Sequence, residues 1–96
     1  NIDLIQHNLS LLASFFERQS HLFAWQRPRA GSIAFPRYLG GEIESFCHRL
    51  VTEAGVLLLP GTLFGDRQDH FRLGFGRANA PQAIARLEEF VAGQKA

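Results

Sequence analysis

The stretch GVLLLPGTLFGDRQDHFRLGFG, residues 55–76, decides how this chain is read. After Gly55 come four apolar residues, Val56 to Leu59, closed by Pro60-Gly61. A continuous apolar run of strand length, bounded by turn residues, predicts a strand buried on both faces. From His70 to Gly76 the pattern alternates instead. Phe71, Leu73 and Phe75 fall on one face of a strand, and His70, Arg72, Gly74 and Gly76 on the other. The first set suits a core. The second carries a single guanidinium between a histidine and two glycines that add no bulk. Thr62 to Asp69, between the strands, reads as a polar-rimmed loop around Phe64 and Gly65, and Pro60 to Gly65 is a place where a loop can be shaped around a ligand.

Upstream, Ile43, Phe46, Cys47, Leu50, Val51 and Ala54 trace an amphipathic stripe on a helix from Glu42 to Ala54, with Gly55 as its C-terminal cap. The first twenty residues are helical by the spacing of Ile5, Leu9, Leu12 and Phe16, widened by Ile2, Leu11 and Phe15. Between these helices, Leu22 to Gln26 and Ser32 to Tyr38 read as two strands of a hairpin turning at Arg27-Pro28-Arg29-Ala30-Gly31. Pro36 lacks a ladder donor and marks an edge or a strand end. Downstream, Pro81 suits the first turn of a last helix whose inward residues are Ile84, Leu87 and Val91 and which ends at Gly93. The order helix, strand, strand, helix, strand, strand, helix predicts an α+β fold. It is a two-layer sandwich, with helices on one face of a small, mostly antiparallel sheet.

With 96 residues the chain is one domain or a piece of one. Ten Lys and Arg against nine Asp and Glu leave a net charge of +1, which argues against a dedicated nucleic-acid binder. Apolar residues at 46% and charged residues at 20% exclude a disordered chain. The single cysteine, Cys47, excludes an internal disulfide framework and fits a reducing, cytoplasmic compartment. No apolar run reaches the roughly 20 residues of a membrane span, and no basic-then-apolar leader opens the chain. Methionine is absent and Asn1 falls in mid-pattern, so the sequence reads as a segment of something longer. On that reading the first helix lacks its packing partner, and Phe15 or Phe16 is expected to be exposed.

Arg72 is the most informative candidate. A guanidinium is a planar fork that matches a carboxylate or phosphate; the plain alternative is a solvated arginine on an open sheet face. The segment from Trp25 to Gly31 is basic and aromatic, but reads as a turn with a packed tryptophan. Gly55 to Gly65 has neither the spacing nor the lysine of a phosphate-binding loop. His7, His21, His48 and His70 show no metal-ligand spacing. Cys47 and His48 point about 100° apart on a helix and cannot act as a nucleophile–base pair. The glutamates Glu42, Glu44, Glu88 and Glu89 read as solvated helix charges. No catalytic group and no metal site emerges from the residues.

Three blocks carry a resemblance: Trp25-x-x-Pro28-x-x-Gly31-x-x-x-Phe35, then Gly55-Val56-Leu57-Leu58-Leu59-Pro60-Gly61-x-x-Phe64-Gly65, then His70-Phe71-Arg72-Leu73-Gly74-Phe75-Gly76. In this order, and with Leu87-Glu88-Glu89-Phe90 on the closing helix, the chain resembles the C-terminal part of class I/II pyridoxal-phosphate-dependent aminotransferases, of the aspartate aminotransferase fold. The resemblance implies that residues 1–96 are the C-terminal small domain, whose partners are a large cofactor-binding domain, an amino-acid or 2-oxo-acid substrate and, in the complete enzyme, a second copy. It implies that Arg72 grips the substrate α-carboxylate. Gly31 would lie near the substrate, where a side chain would intrude, and Phe64 and Gly65 would shape the entry side.

One departure limits what this chain can do alone. The family holds pyridoxal 5'-phosphate through a lysine, and the only lysine here, Lys95, stands in the tail and does not match that position. The residues that hold the pyridine nitrogen and the phosphate belong to the large domain. The isolated chain is therefore expected neither to bind the cofactor covalently nor to catalyse amino-group transfer. Two other functions stay open on the residues alone: a freestanding α+β module that recognises an acidic ligand or partner through Arg72, and a structural interaction domain.

Overall fold

The computed structural model describes residues 2–94. Three helices, α1 (Ile2–Arg18), α2 (Ile43–Ala54) and α3 (Ala80–Gly93), pack against short strands: β1 (Phe23–Ala24), β2 (Ile33–Ala34), β3 (Arg37–Tyr38), β4 (Leu59–Pro60) and β5 (Phe71–Gly74). A 3-10 helix, Gly61–Phe64, follows β4. The strands form a β1–β3 pair and a three-stranded sheet in the order β2-β5-β4, and these pairings are antiparallel. The expected α+β, two-layer build holds.

Alternation on β5 decides which face is covered. Phe71, Leu73 and Phe75 are buried in the common core with Leu9, Leu12 and Phe16 of α1, Phe46 and Leu50 of α2, and Ile84, Leu87 and Val91 of α3. Arg72 and Gly74 point away from it. Among the aromatic side chains of the core, Phe23 contacts the rings of Phe15, Phe16, Tyr38, Phe46 and Phe71, with centroids 5.4–6.0 Å apart. Such edge-on and tilted pairs add to the area they bury.

The structure changes several expectations. Phe15 and Phe16 are not exposed; they are 0% and 1% accessible. The chain covers them itself, through Phe23 and through Trp25, whose ring lies 4.6 Å from that of Phe16. Val56 to Leu59 is not buried on both faces either. Val56 and Leu58 point into the core, whereas Leu57 is 72% and Leu59 36% exposed. Helices cover only one side of this sheet, so an all-apolar run sits in it as an alternating strand, and only Leu59–Pro60 joins the ladder. Finally, the second hairpin strand is divided at Phe35-Pro36. Its end, β3, pairs with β1, but its beginning, β2, pairs with β5. Pro36 has no N–H to give, and its carbonyl accepts from Phe71 N–H at 2.9 Å.

Local signals set the helix ends. Gly55 takes the left-handed conformation (φ 68°) and donates its N–H to Val51, as a C-terminal cap does. Glu42 gives α2 no side-chain cap. Instead Asp69, the non-glycine residue with positive φ (62°) among those described, accepts from Ile43 N–H through its carboxylate at 3.1 Å and from Tyr38 N–H through its carbonyl at 2.8 Å. Asp69, two positions before β5, thus ties α2 and β3 to the start of that strand. Arg18 and Glu88 join α1 to α3 by two hydrogen bonds of 2.6 Å at the surface. Val51, expected inside the stripe of α2, is 40% exposed at its edge.

Candidate functional site

The uncovered face of the three-stranded sheet carries the candidate site. Arg72 stands at its centre. On one side it pairs in register with Leu59 of β4. On the other, the β2–β5 register (Ile33 with Gly74, Ala34 with Leu73), resumed at Arg37 with His70, sets Phe35 beside it. Ile33, Phe35, Leu57, Leu59 and Phe64 are exposed on the side of the sheet that carries this guanidinium. Five large apolar side chains grouped on one face of a small domain form a patch of the kind that other protein surface or a ligand covers.

Arg72 is exposed, and its guanidinium carbon lies over the Phe64 ring, 5.5 Å from the centroid. The ion pairs among the described residues are Arg18–Glu88 and Asp66–His70, so Arg72 belongs to neither. The chemistry available is that of a positive fork with an apolar rim, able to receive an anion edge-on.

The loop beside it is closely held. Asp66 accepts from the backbone N–H of His70 at 2.9 Å and of Gln68 at 3.1 Å, and its second oxygen meets His70 Nδ1 at 3.0 Å. The His70 N–H, ahead of that of Gln68 and the imidazole, holds the Asp66 carboxyl below its ordinary range. The Gly61 N–H donates to the His70 carbonyl at 2.6 Å, and the Asp66 N–H returns to Gly61 at 3.0 Å. His70 itself stacks on Phe35, ring centroids 5.0 Å apart and nearly parallel.

Gly31 stands elsewhere. It precedes β2, and the register carries it opposite Gly76, so four strand steps, roughly 13 Å, separate it from the level of Arg72. A Cβ on Gly31 would meet nothing within 4 Å; its φ of 79° is what calls for glycine there. Gly76 is a case of space, because a Cβ would come 2.9 Å from Ser32.

Sequence reasoning passed over Asn8, which is fully buried on α1. Its Nδ2 donates to the carbonyls of Phe75 at 2.9 Å and Arg77 at 2.8 Å. A signal existed: a polar residue beside Leu9 within an apolar stripe must find partners. Cys47 is buried, as its place in the α2 stripe requires, and burial pushes its thiol up to about 11. Among the described residues no group of His, Cys, Asp and Glu could hold a metal, and no helix is long and apolar enough to cross a membrane.

Comparison with known proteins bears on the fold. No family model matches the sequence. Capreomycidine synthase of Streptomyces vinaceus is 37% identical over 65 residues, which is 65% of this chain and 16% of that protein. Among solved structures, a PLP-dependent aminotransferase of Streptococcus suis 89-1591 superposes with a TM-score of 0.85 at 29% identity, covering 100% of this chain and 26% of its own. A PLP-dependent cyclase, OrfR, gives 0.82 at 29% identity over 96% of this chain and 26% of its own. The aromatic aminotransferase of Pyrococcus horikoshii OT3, at 20% identity, shares the fold with a TM-score of 0.84 over 97% of this chain and 26% of its own.

The fold these comparisons share with the chain is that of pyridoxal-phosphate-dependent enzymes related to the aminotransferases. This chain has the fold of about a quarter of such an enzyme. Among the described residues there is no lysine to hold that cofactor covalently. Lys95, the only lysine of the sequence, lies outside the described residues, and the face around Arg72 offers a guanidinium and apolar side chains but no amine.

Proposed function

We propose that residues 1–96 are the C-terminal small domain of a longer pyridoxal-phosphate-dependent enzyme that transfers an amino group between an amino acid and a 2-oxo acid, and that Arg72 binds the substrate α-carboxylate. The supporting observation is Arg72 itself, exposed, outside the described ion pairs and centred on an apolar sheet face. An amino acid must be held still while a bond at Cα breaks, and a bidentate guanidinium supplies that orientation. The exposed rim of Ile33, Phe35, Leu57 and Leu59 is apolar surface for the large domain to cover. Gly31 lies at the far edge of the same strands and lines the substrate side only once that domain is in place. The cofactor is held by the large domain, so the 96-residue chain is inactive alone. The complete enzyme works as a homodimer in the cytoplasm, a compartment the free Cys47 fits.

A second reading has its own support. One relative is a synthase and one structural neighbour a cyclase, so the parent reaction can be a rearrangement of an amino acid instead of a transfer. Arg72 has the same role in both. Incubating the complete protein and cofactor with each common L-amino acid and a 2-oxo acid tests the two. Amino-group transfer to the acceptor is the expected result. A product that keeps its own nitrogen points to the second reading, and no turnover of any amino acid, or turnover by the 96-residue chain alone, contradicts both.

A further inference from the structure

The geometry points to Phe64 as a positioning residue for the Arg72 guanidinium, an inference that rests on reading Arg72 as the carboxylate-binding group. An exposed arginine samples many rotamers, and each one fixed on binding costs affinity. Here the guanidinium already lies over an aromatic face, 5.5 Å from the Phe64 centroid. A guanidinium lying flat on a ring uses its face there and leaves its N–H edge, the part that meets a carboxylate, available.

Phe64 has no core reason for its place. It is 54% exposed, while Phe71 and Phe75 a few residues on are fully buried. Its backbone is nonetheless firmly set. It ends the 3-10 helix Gly61–Phe64, which is closed by the Gly65 N–H on Thr62 (3.3 Å) and pinned to β5 through the Gly61–His70 bond. Asp66 then clasps the backbone of Gln68 and His70. The ring is a ledge on a 3-10 turn that is tied, through Gly61 and His70, to the residue preceding the strand that carries Arg72.

Two measurements test this. In the 96-residue chain, the side-chain Nε–H signal of Arg72 should be displaced by the ring current, keep that displacement in Phe64→Tyr, and lose it in Phe64→Leu. An undisplaced wild-type signal overturns the inference. In the complete enzyme, with an amino acid that turns over, Phe64→Leu should raise KM about two- to fivefold with little change in kcat, and Phe64→Tyr should restore the KM. On an Arg72→Ala background, Phe64→Leu should add nothing. If its effect persists on that background, Phe64 acts by another route and the inference fails. If Arg72→Ala raises KM and Phe64→Leu does not, the inference fails while the role of Arg72 stands. If Arg72→Ala leaves KM unchanged, both fail.

Discussion

The amide of Asn8 donates to the carbonyl of Phe75, 67 residues away, at 2.9 Å, and so fastens the first helix to the end of the strand that carries Arg72. The same nitrogen reaches the Arg77 carbonyl, while the side-chain oxygen is buried without a partner. Replacing Asn8 by Ala leaves one buried and one part-buried carbonyl short of a donor and should destabilise the chain by about 1–3 kcal/mol. Asn8→Asp should cost more, because it sets a carboxylate against carbonyl oxygens. Urea midpoints of the two variants check this, and a wild-type midpoint for Asn8→Asp would contradict it.

Phe46 is fully buried and meets the rings of Phe23, Tyr38, Phe71 and Phe90. Phe46→Ala should lower stability by about 3–5 kcal/mol, and Phe46→Leu by clearly less. A loss below about 1 kcal/mol for the alanine variant would mean the aromatic cluster repacks without it.

The Asp66 clasp gives a pH dependence of known sign. Its carboxyl is held low by the His70 N–H first, so its contribution is complete above the ordinary aspartate value and is lost as pH falls through the lower, folded value. The backbone signals of Gln68 and His70 should therefore titrate with a midpoint below about 3.9, and in Asp66→Asn that step should vanish. A midpoint at or above the ordinary value would contradict the clasp.

If the cofactor is held elsewhere in a longer protein, the 96-residue chain should take up no stoichiometric pyridoxal phosphate. Borohydride treatment after mixing should leave its mass unchanged. A saturable adduct that disappears in Lys95→Arg would show that the lone lysine binds the cofactor after all.

Much of this fold could be read from side-chain spacing, and the failures have physical causes. The α2 and α3 stripes and the outward turn of Arg72 follow from periods of 3.6 and 2, which burial enforces here, since Phe46, Leu50, Ile84, Leu87, Phe71 and Leu73 are all inside. Val56 to Leu59 misled because composition alone cannot show that one face of the sheet stays uncovered. The division of the second strand at Pro36 was hinted at by proline, but not which strand each half would join. The Asp69 cap on α2 and the Asn8 bridge join residues 26 and 67 positions apart, and no local pattern carries such a pairing. At the site, Arg72 stood out by alternation, whereas the Phe64 ring beneath it depends on how a 3-10 turn folds back.

The most direct measurement of the central claim is the KM and cofactor content of the complete enzyme with Arg72 replaced. A charge-assisted pair contributes about 1.5–3 kcal/mol, so Arg72→Ala should raise KM for the amino acid about ten- to a hundredfold while the protein retains its full complement of pyridoxal phosphate. Arg72→Lys should recover only part of the loss, because an ammonium lacks the fork. An unchanged KM, or loss of cofactor in step with loss of activity in a folded variant, would contradict the assignment of Arg72 to the substrate carboxylate.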